Sequence, residues 1–160
     1  MPILVEPTTR LHAAWLEAHT EWGPGHHEDG FGLQHSDDVT SPTGFATWVA
    51  TLTTPPITCT YRWILDADRI LGGIALRHYD TGLGHIGYGI RPTARRQGTA
   101  SWALAAILPE AHSLGLTQVA LVCAPDNLAS IRTIERNSGV LQGIRTTPLG
   151  PARHYRIDLT

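Results

Sequence analysis

The stretch from Leu83 to Ala111 restricts the fold most. There the apolar residues pass from alternate spacing to helical spacing through one short turn. Leu83 to Ile90 reads as a strand, and Ala100, Leu104, Leu108 and Ala111 share one face of a helix. Pro92 bars the strand from continuing as a central one. A strand that feeds directly into a helix commits the chain to a mixed α/β or α+β architecture. The turn also has the chemistry of an anion site. Arg91, Arg95 and Arg96 fall within six positions and can add bidentate phosphate contacts. Gly98 lets a ligand approach the backbone, and Thr99 and Ala100 are small. Amides in the first helical turn stand at the positive end of the helix dipole, so a diphosphate fits the arrangement.

The flanking pattern is of one piece. Ile3 to Val5 reads as a strand, and Thr8 or Thr9 can cap a helix to about Trp22 with Leu11, Trp15 and Ala18 on one face. From Gly23 to Pro42 the periodicity stops, which predicts a long surface loop carrying His26, His27, His35, Glu28, Asp29, Asp37 and Asp38. A helix from Gly44 to about Leu52 is stopped by Pro55-Pro56, and Tyr61–Leu65, Ile70–Arg77 and Leu83–Ile90 form an antiparallel meander. Pro109 is expected to kink the next helix, which Gly115 closes. Val119 to Cys123 then alternates as a strand. Asp126 or Asn127 caps a helix carrying Leu128, Ile131 and Ile134 and ending near Gly139. Strand patterns follow at Val140–Arg145 and Tyr155–Leu159. No linker or repeat divides residues 1–160, so one domain is expected.

Composition narrows the function. With 160 residues, 42% of them hydrophobic, the chain can bury a proper core. A net charge of −2 argues against a nucleic-acid partner, and the absence of lysine removes lysine chemistry from any mechanism. The longest apolar run, Trp102–Leu108, is too short to span a bilayer, and the N-terminus lacks a signal-peptide pattern. A cytoplasmic location is expected, with Cys59 and Cys123 as reduced packing thiols. His26, His27 and His35 lack metal-ligand spacing, so no metal is expected.

Three segments together resemble a known family. Arg95-x-x-Gly98-x-Ala100 after a strand is similar to the acyl-CoA pyrophosphate motif of the GNAT, or GCN5-related, N-acetyltransferases. Gly84-His85-Ile86-Gly87-Tyr88 with Arg91-Pro92 resembles that family's fourth strand and its exit. Asp126-Asn127-x-x-Ser130-Ile131 with Gly139 resembles its later helix. The resemblance implies the GNAT fold, with a mixed, mainly antiparallel sheet splayed between its fourth and fifth strands and about four helices. It implies acetyl-CoA as co-substrate. The backbone of Tyr88, Gly89, Ile90 and Arg91 would hold the pantetheine arm. Arg95 and the amides of Arg96, Gln97, Gly98, Thr99 and Ala100 would hold the diphosphate.

Asn127 has two readings, helix cap or neighbour of pantetheine and acceptor, and both can hold. Ser130 could hydrogen-bond the departing sulfur; Ile134 stands where many relatives carry a tyrosine acid, which leaves Ser130, a water or no acid at all. His85 occupies a place where relatives carry a polar base. Its ordinary pKa near 6.5 suits an ammonium, whereas His78 is less well placed. Glu28 and Asp29 would attract a cationic acceptor. The expected activity is direct acetyl transfer to the primary amine of a small cationic molecule, by a monomer or homodimer. The alternatives are a protein or peptide N-terminal acetyltransferase, or a non-catalytic acyl-CoA-binding module.

Overall fold

The computed structural model describes residues 1–23 and 29–160. In chain order the elements are β1 (Pro2–Val5), α1 (His12–Trp22), α2 (Pro42–Thr53), β2 (Cys59–Asp66), β3 (Arg69–Arg77), β4 (Ile86–Ile90), α3 (Thr99–Ser113), β5 (Gln118–Cys123), α4 (Leu128–Arg136), β6 (Val140–Thr147) and β7 (Gly150–Asp158). Local chemistry sets their ends. Thr8 caps the short turn before α1, Ser41 caps α2 with Pro42 in the first turn, and Asn127 caps α4. Helix α3 runs through Pro109 without ending, since Pro109 and Ala105 both lie on the exposed face, where water can satisfy the freed carbonyl. Among the described residues no helix is long and apolar enough to cross a membrane.

The strands form two antiparallel sheets, ordered β1-β2-β3-β4 and β5-β7-β6. They meet at a bridge between Gly84 and Leu121, where the His85 N–H also donates to the Ala120 carbonyl at 2.7 Å. The expected splay is therefore a break in the ladder that divides one sheet into two. Strand β4 begins three residues later than the Leu83–Ile90 pattern suggests. The Asp80 carboxylate accepts from the Gly82 and Gly84 amides, and Gly84 takes a positive φ of 81°, which bends the chain before Ile86.

Two cores cover opposite faces of the first sheet. An aromatic core under α1 and α2 packs Trp15 against Trp48 at 4.8 Å and Phe31 at 5.6 Å between ring centroids. An aliphatic core joins Ile86 and Ile90 of β4 to α3, α4, β5 and β7. On the aromatic side the strands are paved with glycine, and the loop after α1 lies directly on them. A Cβ at Gly89 would collide with the Asp29 carbonyl, and one at Gly73 with the Phe31 ring.

Arg91 fastens α1 to the exit of β4. Its guanidinium, 1% exposed, donates to Glu17, to Glu21 at 2.7 Å and to the Ile70 carbonyl at 3.1 Å. Glu21 also accepts from the Thr93 amide at 2.9 Å. Arg91 thus turns away from the turn it was expected to serve. Its side chain binds helix α1, and its amide donates to Leu71 of β3.

The hydrogen bonds from Arg91 hold the Glu17 carboxyl below its usual range and pull Glu21 from 4.5 down to about 2. A folded pKa below the unfolded one gives stability that is complete above pH 4.5 and is lost as pH falls toward about 2. Urea unfolding of Glu21→Gln against wild type should show a stability gap at pH 6 that closes as pH is lowered through that window. A gap independent of pH would contradict the pairing.

Candidate active site

Strand β4 has one edge on β3 and the other on the gap. The Arg77 N–H donates to the His85 carbonyl at 2.6 Å, and the Arg91 N–H to the Leu71 carbonyl at 2.8 Å. Antiparallel alternation then directs Gly87 and Gly89 to β3 and turns the backbone groups of Ile86, Tyr88 and Ile90 toward the gap. The Ile90 carbonyl accepts from Arg95 Nε at 2.8 Å. The N–H and C=O of Tyr88 stand at the open edge, ready for an extended amide-bearing ligand to add as a strand.

The turn at the end of β4 completes the cleft. Arg96 and Gly98 have positive φ values of 63° and 78°. No side chain caps α3, its first turn has no acidic residue, and the Trp102 N–H to Gly98 carbonyl bond of 2.9 Å opens the helix. The amides of Thr99, Ala100 and Ser101 therefore have no acceptor within the helix. A Cβ at Gly98 would meet open space, and Arg95, Arg96 and Gln97 are exposed around it. These groups can hold a diphosphate, without the Arg91 side chain, which is bound to Glu17 and Glu21.

Helix α4 forms the opposite wall. Asn127 Oδ1 accepts from the Ser130 amide at 3.2 Å, which gives the capping reading. Ser130 Oγ lies 2.7 Å from Tyr88 Oη, so a side-chain hydrogen bond ties β4 to α4 across the cleft. Burial raises the pKa of Tyr88 and of Cys123, the last residue of β5. Both therefore stay protonated at neutral pH. The Tyr88 side chain thus joins the cleft beside its backbone. The available signal was a phenol on the apolar side of a strand, since a buried tyrosine hydroxyl needs a partner.

His85 is not placed as a base. It lies at the closed end of the gap, where Nδ1 accepts from the Ala120 amide at 2.9 Å. The neutral ring then carries its hydrogen on Nε2 and keeps no lone pair for an ammonium. Burial also lowers its pKa. The assignment failed because His85 precedes β4 and serves the seam between the sheets. His78 Nε2 is likewise committed, 2.8 Å from Thr60 Oγ1.

The acidic loop is also reduced. Asp37 accepts from the Gln34 amide, and Asp38 accepts from Thr40 and Ser41, so both shape local turns. Asp29 lies over Gly89 of β4. Glu28, His26 and His27 lie outside the described residues. Among the described residues no cluster of histidine, cysteine or carboxylate side chains could hold a metal.

A family model described as an acetyltransferase (GNAT) domain matches residues 5–139. No protein of curated function matches the sequence. Among solved structures, an acetyltransferase from Salmonella typhimurium that modifies the N-terminal serine of ribosomal protein L7/L12 shares 16% identity at a TM-score of 0.74, over 99% of this chain and 95% of its own. The microcin C7 self-immunity acetyltransferase MccE, seen with acetyl-CoA and AMP, shares 14% at 0.76, over 99% and 92%. Mycobacterium smegmatis RimJ, seen with CoA-disulfide, shares 15% at 0.77, over 98% and 81%.

Gly98→Asp tests the anion site, since a Cβ there meets open space and the cost is confined to the left-handed backbone. Aspartate tolerates the left-handed backbone and is a good helix cap, so its carboxylate would occupy the amides itself. Calorimetry should show CoA binding weakened at least about tenfold, or ~1.4 kcal/mol. Gly98→Asn should lose less CoA affinity while carrying the same modest cost in stability from the left-handed backbone. Wild-type affinity in Gly98→Asp would exclude this turn as the diphosphate site.

Proposed function

Since this chain belongs to the GNAT acetyltransferase family, we propose that the open edge of β4, the turn at Gly98 and Ser130 together bind acetyl-CoA and transfer its acetyl group directly to a primary amine. The observation that carries this reading is the continuity of the cleft. Unpaired backbone at Tyr88 runs into uncapped amides at the start of α3, matching the amide-rich arm and the diphosphate of one ligand.

The chain's own groups supply the electrostatics. The Tyr88 N–H faces the place where negative charge grows on the thioester oxygen. Ser130, whose amide is held by the Asn127 cap and whose Oγ lies beside Tyr88 Oη, would face the sulfur. A thiol of pKa about 8.5 leaves readily near neutral pH, so full proton donation is not required. Ile134 is a hydrocarbon side chain in the core, 1% exposed, and has no proton to give. The Asp29 backbone lies over Gly89 on the opposite face of β4, and the Asp29 carboxylate adds negative charge near Tyr88 that would favour a cationic acceptor.

For the acceptor, we favour a free α-amino group at the N-terminus of a peptide or protein. Asp37 and Asp38, which would have helped select a small polycation, are spent on turns. Similar structures include enzymes that acetylate the N-terminus of L7/L12. Among the described residues, a small cationic amine keeps the support of Asp29. Thiol release from acetyl-CoA should be measured with peptides bearing free N-termini, their N-blocked counterparts, and a panel of small amines. Turnover of free but not blocked peptides supports the reading. Turnover confined to small amines would replace it, and binding without any turnover would point to a non-catalytic module.

The corrected role of His85 has its own test. His85→Ala should keep kcat within about threefold of wild type, because the ring supplies no basic lone pair to the cleft. It should lower stability by about 1 kcal/mol, because the Ala120 amide loses its acceptor. A fall in kcat of a hundredfold or more at unchanged stability would restore the histidine as base.

A further inference from the structure

Only one face of the second sheet lies in the core. Leu121, Cys123, Tyr155 and Ile157 join Ile86 and Ile90 of β4 there, under α3 and α4. Alternation puts Val122, His154 and Gly143 on the other face, the side of the molecule that also carries Gly87 and Gly89. Helices α1 and α2 pack on β3 and β2. A Cβ at Gly87 or at Gly143 would meet nothing within 4 Å. The register carries this face past the gap. Strand β5 ends at Cys123, opposite Arg153, but β6 and β7 continue as a ribbon to Thr147 and Gly150. That overhang stands at the open end of the gap, because the chain leaving β5 enters α4, whose Ser130 touches Tyr88 Oη. Arg145 lies on the overhang opposite Ala152, on the side of His154. It is exposed and pairs with no carboxylate among the described residues. Its neighbours are committed: Arg153 donates to Tyr155 Oη at 2.7 Å, and Arg156 meets Asp158 at 3.0 Å. One side of the molecule thus carries the Asp29 carboxylate near Tyr88 and an unpaired guanidinium on β6.

We propose that the acceptor is an acidic N-terminal peptide, with its ammonium at the Asp29 end and a carboxylate side chain shortly after it bound by Arg145. This rests on the N-terminal reading of the acceptor and names its class. The spacing suits it. Strand β6 is the third strand beyond β4, roughly 14 Å away at ordinary strand separation. About four extended residues cover that distance. The splay lengthens the path and the reach of the arginine shortens it, so the second to fourth residues are the ones read. A planar guanidinium can hold a carboxylate by two hydrogen bonds at once. It repels a small polyamine, which is positive at both ends. Opposite charges at the two ends also fix the direction in which the peptide lies, amine toward β4. Arg145 is then a specificity residue and takes no part in the chemistry at the thioester.

The test compares peptides with free N-termini that differ only in carrying glutamate, glutamine or lysine at their second to fourth positions. Thiol release from acetyl-CoA gives kcat/KM for each. Wild type should prefer the glutamate peptide over the glutamine peptide by at least about tenfold at low salt, and less as salt is raised. Arg145→Gln should cut that preference at least about fivefold, and Arg145→Glu should turn it toward the lysine peptide. CoA affinity in calorimetry, within about twofold of wild type, shows that both variants keep the coenzyme cleft. Equal use of glutamate and glutamine peptides by wild type overturns the proposal and leaves the N-terminal reading standing. So does a preference that survives Arg145→Gln and Arg145→Glu. Turnover of none of the peptides overturns the N-terminal reading and the proposal with it.

Discussion

The structure depends on β4 and β5 touching at one end and parting beyond it. Backbone groups removed from water are almost always paired, so an open ladder inside a fold requires support from elsewhere. The seam at Gly84, His85, Ala120 and Leu121 fixes the closed end. Each half is then held from outside the gap. The first sheet is clamped by the aromatic core and by Arg91, which ties Glu17 and Glu21 of α1 to the strand's exit. The second is held by pairing of β7 with β5 and β6, and by Tyr155, whose hydroxyl donates to Glu135 of α4 at 2.8 Å. With both flanks braced, the free edge of β4 is preorganised for a ligand rather than left to collapse onto β5.

What the sequence disclosed follows from how local each signal is. The strand-turn-helix unit at 83–111 was legible because proline, glycine and apolar spacing act within a few residues. The cap at Asn127 was legible for the same reason. Arg91, Arg95 and Arg96 looked equivalent because their difference is tertiary. One of them meets two glutamates on α1, 70 and 74 positions away, although Glu17 and Glu21 stand four apart on one helix face and so offered a weak hint. His85 was misread because the strand's start is set by the Asp80 carboxylate and the left-handed Gly84. The Tyr88 phenol was overlooked since its partner, Ser130, is 42 positions distant.

The two faces of β4 divide the work through side-chain size. Gly87 and Gly89 leave the aromatic side flat, so the loop at Asp29 can come down to van der Waals distance there. Ile86, Tyr88 and Ile90 fill the other side, toward α3 and α4. In the proposed reading, one short strand thereby separates an acceptor approach from a coenzyme approach. A side chain at position 89 would act on the first approach by displacing the loop. A change at position 88 would act on the second.

The buried Arg91 also bears on why this exit is rigid. A guanidinium with two carboxylates and a carbonyl around it gains little net stability over a well-packed apolar group, because desolvation offsets most of the attraction. It does gain geometry, since the planar fork accepts partners in few directions. That restriction passes along the chain. Arg91 leads through Pro92 to Ala94, whose buried side chain and bond to the Arg91 carbonyl fix the turn, and then to Arg95 on the Ile90 carbonyl. The start of α3 is therefore placed relative to β4 by directional bonds on both sides of the turn. A diphosphate at the helix and a thioester at the strand are parts of one molecule, so the spacing between their sites must be held to a fraction of an ångström for reaction. An apolar residue at 91 could fill the same volume, but it would leave that spacing to packing alone.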